Sequence, residues 1–492
     1  MSKPFWKDDT LTPQLASAPL PRSVRWALAS LSLSALLSSL GTSIANVGLP
    51  TLAQVFNASF QQVQWVVLAY LLAMTTLIVS AGRLGDLVGR RRLLLAGILL
   101  FTVASILCSV APTLALLIAA RALQGLGAAV MMALAMAFVG GMVPKAKTGS
   151  AMGLLGTMSA VGTALGPTLG GVLIASFGWQ AMFFINLPLG VLALLLAQRF
   201  LPADLRASTA NRPRFDHLGT LLLALTLAAY ALAMTLGRGS FGRLNLALLL
   251  AAVIGLGLFV VAERRAASPL LRLALFRDPV LSASFVMSIL VTTVVMATLV
   301  VGPFYLAGAL ALDAARVGLV MSTGPIAAAL TGVPAGRLVD RYGAMRMSLI
   351  GLVAMAVGSS TLPLLTTLFG IAGYVAPLVV ITAGFALFQA ANNTAVMTDV
   401  RPDQRGVVSG VLILSRNLGL VTGASVMGSV FAFGAATSNV MTASRQAVAT
   451  GLRFTFAVAA ALVLVALVIA AVSRALSRRA GLPERDDAHA ST

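Results

Sequence analysis

Charged residues are scarce in this sequence, and acidic ones most of all. Its 492 residues contain 14 Asp and Glu against 34 Lys and Arg, and charged side chains make up 10% of the chain while hydrophobic ones make up 59%. A soluble globule of this length needs far more polar side chains to cover its surface. The composition therefore excludes a soluble protein and predicts one that is embedded in a lipid bilayer.

Cysteine and histidine are almost absent as well. The single cysteine, Cys108, lies in an apolar run, and the two histidines, His217 and His489, lie at or beyond the ends of such runs. This excludes an internal disulfide and a Cys/His cluster that holds a metal ion. The glycine-rich runs lie inside apolar stretches, and no Gly-Lys-Ser/Thr phosphate loop is present. We expect no metal and no cofactor, and neither an enzyme nor an ATP-driven pump.

The net charge of +20 does not indicate a nucleic-acid partner. Bases that bind phosphate cluster with aromatic residues on one face, whereas here they are distributed among short separate loops. Fourteen apolar runs between these loops are long enough to cross a bilayer. We therefore expect the lipid bilayer, and no nucleic acid, as a partner. The runs cover residues 24–47, 62–82, 93–111, 114–140, 150–176, 180–200, 217–237, 244–263, 280–306, 315–335, 346–368, 371–397, 405–434 and 452–473.

The positions of the bases predict the topology. An even number of spans places both termini on one side of the membrane. Two bases, Arg121 and Arg416, lie inside spans, and nearly all others lie on the side of the termini. The loops on the opposite side hold only Arg238, Arg243, Arg316, Arg445 and Arg453. This bias assigns the termini to the cytoplasm and predicts a multi-pass protein of the inner membrane.

A charged loop occurs twice in the chain. Gly82–Arg92 lies between the second and third spans, and a partial copy, Gly336–Arg346, follows 254 residues later. Four glycines of the fifth span also recur 257 residues later in the thirteenth: Gly153, Gly162, Gly166 and Gly171 match Gly410, Gly419, Gly423 and Gly428. The duplication predicts an all-α membrane fold of two six-helix bundles with spans seven and eight inserted between them. Repeated halves are how many secondary transporters build a mid-membrane site that opens alternately to each side.

The duplication also predicts the domain boundaries. Residues 1–23 are polar, contain three prolines and do not resemble a cleavable signal peptide, so we expect the first span to remain as an uncleaved anchor. The predicted units are a cytoplasmic segment (1–23), an N-terminal bundle (24–200), a linker with two inserted spans (201–279), a C-terminal bundle (280–473) and a cytoplasmic tail (474–492).

Small residues at four-residue spacing mark span five. Gly162 and Gly166 allow another helix to approach closely, and Pro167 removes a backbone donor and bends the helix. Such a surface suits a helix that slides or flexes, and the alternative is a static packing seam. Span thirteen keeps the spacing but has Ala424 at the position of the proline.

Two arginines lie inside spans. Arg121 is on the order of 10 Å from the nearer surface and Arg416 on the order of 16 Å. A cation at such a depth costs roughly 2.5–3.5 kcal/mol unless it faces a wet cavity or a partner. Arg121 is therefore either a functional charge or a hydrogen-bond hub for backbone carbonyls. Arg416 either links statically to a neighbouring helix or has a substrate or gating role.

Amide and thioether side chains supply two further candidate surfaces. Gln389, Asn392 and Asn393 share a helix face, which we expect to look inward toward ligand or toward other helices. Met131, Met132 and Met136 form either an adaptable binding wall or ordinary helix packing.

Five motifs occur along the chain: Gly41–Pro50 of span one, the loop Gly82–Arg92, the run Arg121–Gly127 of span four, Gly162-x-x-x-Gly166-Pro167-x-x-Gly170-Gly171 of span five, and Phe177–Gly190 before and within span six. In this order they resemble the major facilitator superfamily, and within it the fourteen-span group of drug:proton antiporters. The resemblance extends over nearly the whole chain.

This resemblance implies an exporter that works by alternating access and, as the fold commonly does, as a monomer. It implies a substrate or coupling role for Asn46, Tyr70, Arg121 and Gln124. The polar side chains inside spans twelve and thirteen add four candidates for this role: Gln389, Asn392, Asn393 and Arg416. It implies a conformational-switch role for Gly82, Asp86, Gly89, Arg90, Gly162, Gly166, Pro167, Gly170 and Gly171, with Gly336 and Asp340 as repeat equivalents.

The sequence departs from the group at one position of span one. Gly41 stands where the group has an aspartate, and none of the fourteen acids lies in the middle of a span. Proton coupling, which the resemblance implies, would then use Asp86 or Asp340 at the rim, a titratable substrate, or nothing. A cavity with bases and no acid should favour neutral or anionic lipophiles over cations.

Three functions remain open at this point. The first is an exporter of small lipophilic compounds, such as drugs or toxicants. The second is a metabolite transporter without proton coupling or with another coupling, which Gly41 favours. The third is a membrane sensor that has lost transport. The short polar segments, the longest about twenty residues, leave little room for the partner-binding module that a sensor needs.

Overall fold

The computed structural model describes residues 21–143, 145–202, 216–236, 242–266, 277–398, 405–436 and 443–479. Within these residues, thirteen helices are long and apolar enough to cross a membrane. One of them, Ala344–Met397, has 54 residues and bends at Gly370, where φ is 56° and ψ is −126°. Because a straight helix of this length would be roughly 80 Å long, it crosses a core of about 30 Å twice. The fourteen crossings agree with the sequence prediction.

The first six crossings form the N-terminal half. Its helices are α1 (Arg22–Val55), α2 (Phe60–Val88), α3 (Arg90–Ser109), α4 (Leu114–Met142), α5 (Lys145–Phe177) and a sixth crossing made of α6 (Ala181–Phe184) and α7 (Asn186–Phe200). The inserted pair follows as α8 (His217–Thr235) and α9 (Arg243–Arg265). Parts of the predicted linkers around this pair, residues 203–215 and 267–276, lie outside the described residues.

The last six crossings form the C-terminal half. They are α10 (Pro279–Gly308), α11 (Ala314–Tyr342), α12 (Ala344–Thr398), which crosses twice, a composite span of α13 (Arg405–Thr422), a π-helical turn (Gly423–Met427) and α14 (Gly428–Gly434), and α15 (Arg445–Arg479). We call the membrane face at which α1 begins and α15 ends the terminal face, and the opposite face the distal face.

Local sequence accounts for where several helices begin and end. The Ser59 hydroxyl accepts from the backbone N–H of Gln62, whose side chain accepts in turn from the N–H of Ser59, and this reciprocal cap starts α2. In the two charged loops, Gly89 after α2 has φ 106° and Gly343 after α11 has φ 87°. Glycine adopts this left-handed region without a steric penalty, so each loop turns within one residue, as the sequence predicts.

The repeated glycines of spans five and thirteen pack first against their own half. A Cβ added at Gly162 would meet the backbone carbonyl of Leu36 in α1, and one added at Gly419 would meet that of Ile289 in α10. Backbones at this distance exclude any side chain. These contacts fix α5 to α1 and α13 to α10, so this part of the glycine motif holds each half together and does not separate the two halves.

The last glycine of the motif in α5 faces the other half. A Cβ added at Gly171 would lie 3.0 Å from the Cα of Gly318 in α11. Beside this contact, the hydroxyls of Thr168 and Ser322 form a hydrogen bond between the same two helices. The halves therefore touch backbone to backbone near the distal ends of α5 and α11.

A second contact between the halves lies at the same depth. The side-chain amide of Gln64 in α2 donates to the carbonyl of Ala424 at 3.0 Å. The ring of Phe60 packs edge-on against Phe304, with centroids 4.5 Å apart, and lies 5.5 Å from Phe431. All of these positions lie within about three turns of the distal ends of their helices. The protein is thus closed at its distal face.

The inserted helix α8 bridges the two halves at this closed face. The indole N–H of Trp65 in α2 donates to the hydroxyl of Thr235 at 3.1 Å. The hydroxyl of Ser429 in α14 donates to the carbonyl of Met234. Near the terminal face α8 meets α2 again, where the hydroxyls of Ser80 and Thr220 lie 3.0 Å apart. Helix α8 is therefore attached to the N-terminal half along its length and to the C-terminal half at one end.

The backbone contact between α5 and α11 gives a first prediction. Gly171→Ala places a methyl group against α11, and overpacking of this kind costs roughly 1–3 kcal/mol. Because only the closed distal face suffers, the population should shift toward a distal-open state by roughly 5- to 150-fold. The readout is the rate at which a thiol reagent modifies Val317→Cys, a buried position of α11, in a Cys108→Ser background.

The matched control is Gly156→Ala on the same helix, because no atom lies within 4 Å of a Cβ at that position. It should leave the modification rate at the parent value. Equal rates for the Gly171 and Gly156 variants would show that the α5–α11 contact does not hold the distal face closed.

Candidate functional site

A cavity of about 390 Å³ lies between the two halves, bordered by α1, α2, α4 and α5 on one side and by α10 to α13 on the other. Its size is within the range of pockets that hold drug-sized ligands. Most of its wall is apolar, and no acidic residue lines it in the part of the chain that the structure describes. The polar residues of the wall are Ser38, Ser39, Thr42, Ser43, Ser159, Thr163, Thr292, Thr298, Thr382, Arg416 and Asn417.

Arg416 is the one charged residue that the structure describes in this wall. Its side chain is exposed to the cavity, although it lies eleven residues, on the order of 16 Å, into α13. Ile413 and Leu420, one turn away on either side, line the cavity with it. Arg416 makes no hydrogen bond or ion pair with any residue that the structure describes, so the static link to a neighbouring helix has no contact to support it.

Arg121 has the opposite environment. It is fully buried between α2, α3 and α4, and its Nε donates to the carbonyl of Val66 at 2.8 Å. One terminal nitrogen donates to Oε1 of Gln124 at 2.5 Å, and the amide of Gln124 donates to the hydroxyl of Ser105 at 2.7 Å. The guanidinium carbon also lies 4.3 Å from the centre of the Tyr70 ring.

These contacts are sufficient to hold a cation in the membrane interior. Hydrogen bonds to a charged group contribute roughly 1.5–3 kcal/mol each, and a desolvated cation–π contact about 2 kcal/mol. Their sum exceeds the insertion cost of roughly 2.5–3.5 kcal/mol. Arg121 and Gln124 therefore lie in the interior of the N-terminal half and not on the cavity wall, and the charge of the wall comes from Arg416 alone among the described residues.

Gly41 belongs to the same interior cluster. A Cβ added there would lie 3.3 Å from the hydroxyl oxygen of Tyr70 and 3.2 Å from Cζ of Phe101. The Tyr70 hydroxyl donates to the carbonyl of Ser38 at 2.7 Å. The second terminal nitrogen of Arg121, Nη2, has no hydrogen-bond partner among the described residues. Gly41 thus lies next to the Tyr70 ring, which covers the guanidinium of Arg121 with its unpaired Nη2.

The remaining amides predicted to contact substrate also lie off the cavity wall. The amide of Asn46 donates to the carbonyl of Thr42 at 3.0 Å within α1. The amide of Asn392 donates to the carbonyl of Ser284 at 3.4 Å, so its face of α12 packs on α10. Gln389 is half-buried and Asn393 is exposed, and neither lines the cavity.

The predicted switch residues occupy several environments. Gly82 and Gly336 have open space around them, Gly89 makes the loop turn, Arg90 begins α3, and Asp340 is exposed. The side chain of Asp86 lies outside the described residues. Gly166 and Gly170 pack against α1, like Gly162, whereas the carbonyl of Pro167 faces Gly318 in the other half together with Gly171.

Sequence reasoning missed most of the polar wall. Ser38 and Thr42 in α1 and Ser159 and Thr163 in α5 are each spaced by four, which places them on one face of a helix, and this signal was available in the sequence. Met132 and Met136 line the cavity and Met131 is buried in the helix packing. The four-residue spacing of small hydroxyl residues would have identified the inner faces.

Comparison with known proteins gives a consistent assignment of family. The family model described as "Major Facilitator Superfamily" matches residues 31–424. The chain is 33% identical to the uncharacterized transporter YebQ of Escherichia coli K12, over 84% of this chain and 91% of that protein. It is 31% identical to the riboflavin transporter RibZ of Clostridioides difficile 630 (80% and 86%) and 34% identical to the multidrug resistance protein Stp of Mycobacterium tuberculosis H37Rv (79% and 72%).

The fold is similar to that of solved transporters. A bacterial homolog of the human lysosomal transporter Spinster, in an inward-facing and occupied conformation, gives a TM-score of 0.68 at 14% identity and covers 93% of this chain and 98% of that chain. At this identity the similarity concerns the fold alone.

The interior cluster generates a second prediction. Gly41→Asp should place a carboxylate next to Tyr70 and within reach of Nη2 of Arg121, which lacks a partner in the described part of the chain. Gly41→Asn has nearly the same size, so both variants share the cost of moving the Phe101 ring. We expect the aspartate variant to unfold at a higher temperature than the asparagine variant, with a coupling of roughly 1–3 kcal/mol to Arg121.

The measurement is a double-mutant cycle on thermal unfolding in detergent, with Arg121→Gln as the second change. In that background the preference for aspartate should vanish. If aspartate and asparagine are equivalent in the parent chain, position 41 does not face Arg121.

Proposed function

This chain belongs to the major facilitator superfamily, and from that membership we propose that it exports small lipophilic compounds across the membrane. Members of this family are secondary transporters that work by alternating access, and the chain is an integral multi-pass membrane protein. The observation that carries the proposal is the largely apolar cavity between two halves that are in close contact at the distal face. A relative at 34% identity is named as a multidrug resistance protein.

The charge bias of the loops supplies the direction. The basic residues lie mainly on the terminal face, and we therefore assign this face to the cytoplasm. The membrane that contains the protein is then the inner membrane of the cell. Since the distal face is closed, the conformation is the one that receives a compound from the cytoplasmic side. Release follows when the α5–α11 and α2–α14 contacts separate and the terminal side closes. One chain contains both halves and the cavity, so we propose that it acts as a monomer.

The wall of the cavity sets the preferred charge of the substrate. Arg416 contributes a positive charge, and the lining residues that the structure describes include no acid to balance it. A cation would enter an unfavourable potential, whereas neutral and anionic lipophiles would not. A cavity that selects lipophilic cations would instead have a buried carboxylate in its wall.

Few side chains near the cavity could carry a proton during transport. No carboxylate or imidazole lines the cavity among the described residues, and Gly41 stands where the drug:proton antiporter group that the sequence resembles has an aspartate. If export is proton-linked, the proton is carried at the rim, where Asp340 is exposed on α11 and Asp86 is its repeat equivalent, or by the substrate itself.

A metabolite transporter with other coupling or none is the second candidate. Gly41 favours it, and one relative at 31% identity is named as a riboflavin transporter. A membrane sensor without transport is disfavoured, because such a protein has no need for a ligand-sized cavity between its two halves.

The proposal predicts the outcome of a transport experiment. Proteoliposomes that contain the protein should move a neutral and an anionic lipophilic dye faster than empty vesicles, and should move ethidium, a lipophilic cation, no faster. The fluorescence of each dye is followed with and without an imposed pH gradient. Cationic dye moving at a rate equal to or above that of the anionic dye would contradict the proposed charge preference.

The coupling is tested in the same vesicles. If transport is linked to protons at the rim, Asp340→Asn together with Asp86→Asn should abolish the effect of the pH gradient and leave downhill movement of the dye intact. A gradient effect of unchanged size in the double variant would exclude the rim carboxylates, and the absence of any gradient effect in the parent protein would favour the second candidate.

A further inference from the structure

Among the described residues of the cavity wall, Arg416 alone is charged, and it is unpaired in a position where pairing is expected. Arg416 lies on α13 of the C-terminal half, is exposed to the cavity and contacts no described acid or carbonyl. Arg121, the other arginine inside a span, is by contrast covered by Val66, Gln124 and Tyr70. A guanidinium that is kept open to a ligand-sized cavity is positioned to bind something that enters it.

Two polar groups beside Arg416 are unpaired as well. Asn417 is the next residue of α13, and Thr292 lies on α10 where that helix packs against Gly419. Both residues line the cavity, and both are at least nine-tenths buried. The amide nitrogen of Asn417 and the hydroxyl of Thr292 have no hydrogen-bond partner among the described residues. Buried donors of this kind normally find a partner, so their position next to an open guanidinium points to a ligand.

The opposite wall has a different character. It is formed by α2 and α4 of the N-terminal half, which present Leu71, Met74, Met132 and Met136 to the cavity. Methionine side chains adapt to the shape of an apolar ligand. The cavity thus has a cationic, hydrogen-bonding side in one half and an apolar side in the other.

We propose that Arg416, together with Asn417 and Thr292, forms a subsite for the carboxylate of an amphiphilic substrate, whose apolar body lies against the methionine and leucine side chains of α2 and α4. The planar guanidinium matches a carboxylate with two parallel hydrogen bonds. Such a ligand touches both halves at once. This inference rests on the proposed transport function and narrows its substrate class to lipophilic organic carboxylates.

The test measures binding to the purified full chain in lipid nanodiscs. Three radiolabelled probes share a naphthalene body and differ in charge: 2-naphthylacetate, its methyl ester, and 2-(2-naphthyl)ethylammonium. The parent protein should bind the carboxylate roughly tenfold or more tighter than the ester, and the ammonium compound weakest. Equal affinity for carboxylate and ester would overturn the proposal.

Variants then locate the subsite. Arg416→Gln should weaken carboxylate binding by roughly tenfold or more and change ester binding by less than about twofold, and Arg416→Lys should keep part of the preference. Asn417→Leu and Thr292→Val should each weaken only the carboxylate, by a few-fold. Ile413→Ala, on the same face of α13, is the matched control and should weaken both probes equally. Because the ester is measured on every variant, it reports whether the cavity has stayed folded.

The outcomes separate this inference from the proposed function. If Arg416→Gln weakens carboxylate and ester by the same factor, the subsite is wrong whether or not transport occurs. If the parent binds the carboxylate selectively but proteoliposomes move none of the probes, export is wrong and the carboxylate subsite stands.

Discussion

The backbones of α5 and α11 approach so closely at Gly171 and Gly318 that neither position has room for a side chain. The arrangement of the cavity depends on this contact. It brings the two halves together near the distal face, where Gln64 and the rings around Phe60 close the second side, and it leaves the space between the halves toward the terminal face. In a membrane, where apolar side chains gain little by leaving lipid, close backbone packing is a main source of helix association. Such a contact is specific in geometry and reversible.

The repeated glycine motif forms two kinds of contact, one within each half and one between the halves. Gly162 and Gly419 bind their helices to the first helix of their own half, whereas Gly171 and its repeat equivalent Gly428 face the other half. The same helix is therefore fixed on one side and releasable on the other. Helix α8 follows this division. Hydrogen bonds join it to α2 at both ends, whereas its hydrogen bonds to the C-terminal half, between Met234 and Ser429 and between Tyr230 and Thr422, lie near its distal end.

The two arginines inside the spans have opposite environments, and only one of them gives its charge to the cavity. Arg121 is held by hydrogen bonds and an aromatic ring, which offset the cost of its position, so it is a structural centre of the N-terminal half with one nitrogen left beside Gly41. Arg416 is equally deep but keeps its guanidinium open to the cavity. The same residue type therefore supports packing in one half and gives the binding site its charge in the other.

Much of the fold follows from periodic features of the sequence. The fourteen spans, the duplication and the glycine turns at Gly89 and Gly343 are local or repetitive signals, and they were predictable. The partners of buried groups were not: Arg121 and Gln124 share a helix face, but the carbonyl of Val66 comes from another helix. Similarly, spacing alone shows that Gly162 and Gly171 tolerate close approach, not which helix approaches. Asn392 packs against α10, whereas Arg416 lines the cavity. The sequence does not distinguish these two environments, because a polar residue in a span indicates only that its side chain avoids lipid.

Alternating access requires the halves to exchange their seal at the distal face for one at the terminal face. Pairs of spin labels test it directly in a Cys108→Ser background: Asn57 and Leu310 report on the distal face, and Val88 and Tyr342 on the terminal face. Electron–electron distances in nanodiscs should change in opposite directions for the two pairs when a transported compound is added. Distances that change in the same direction, or a distal pair that is already widely separated without ligand, would contradict the account.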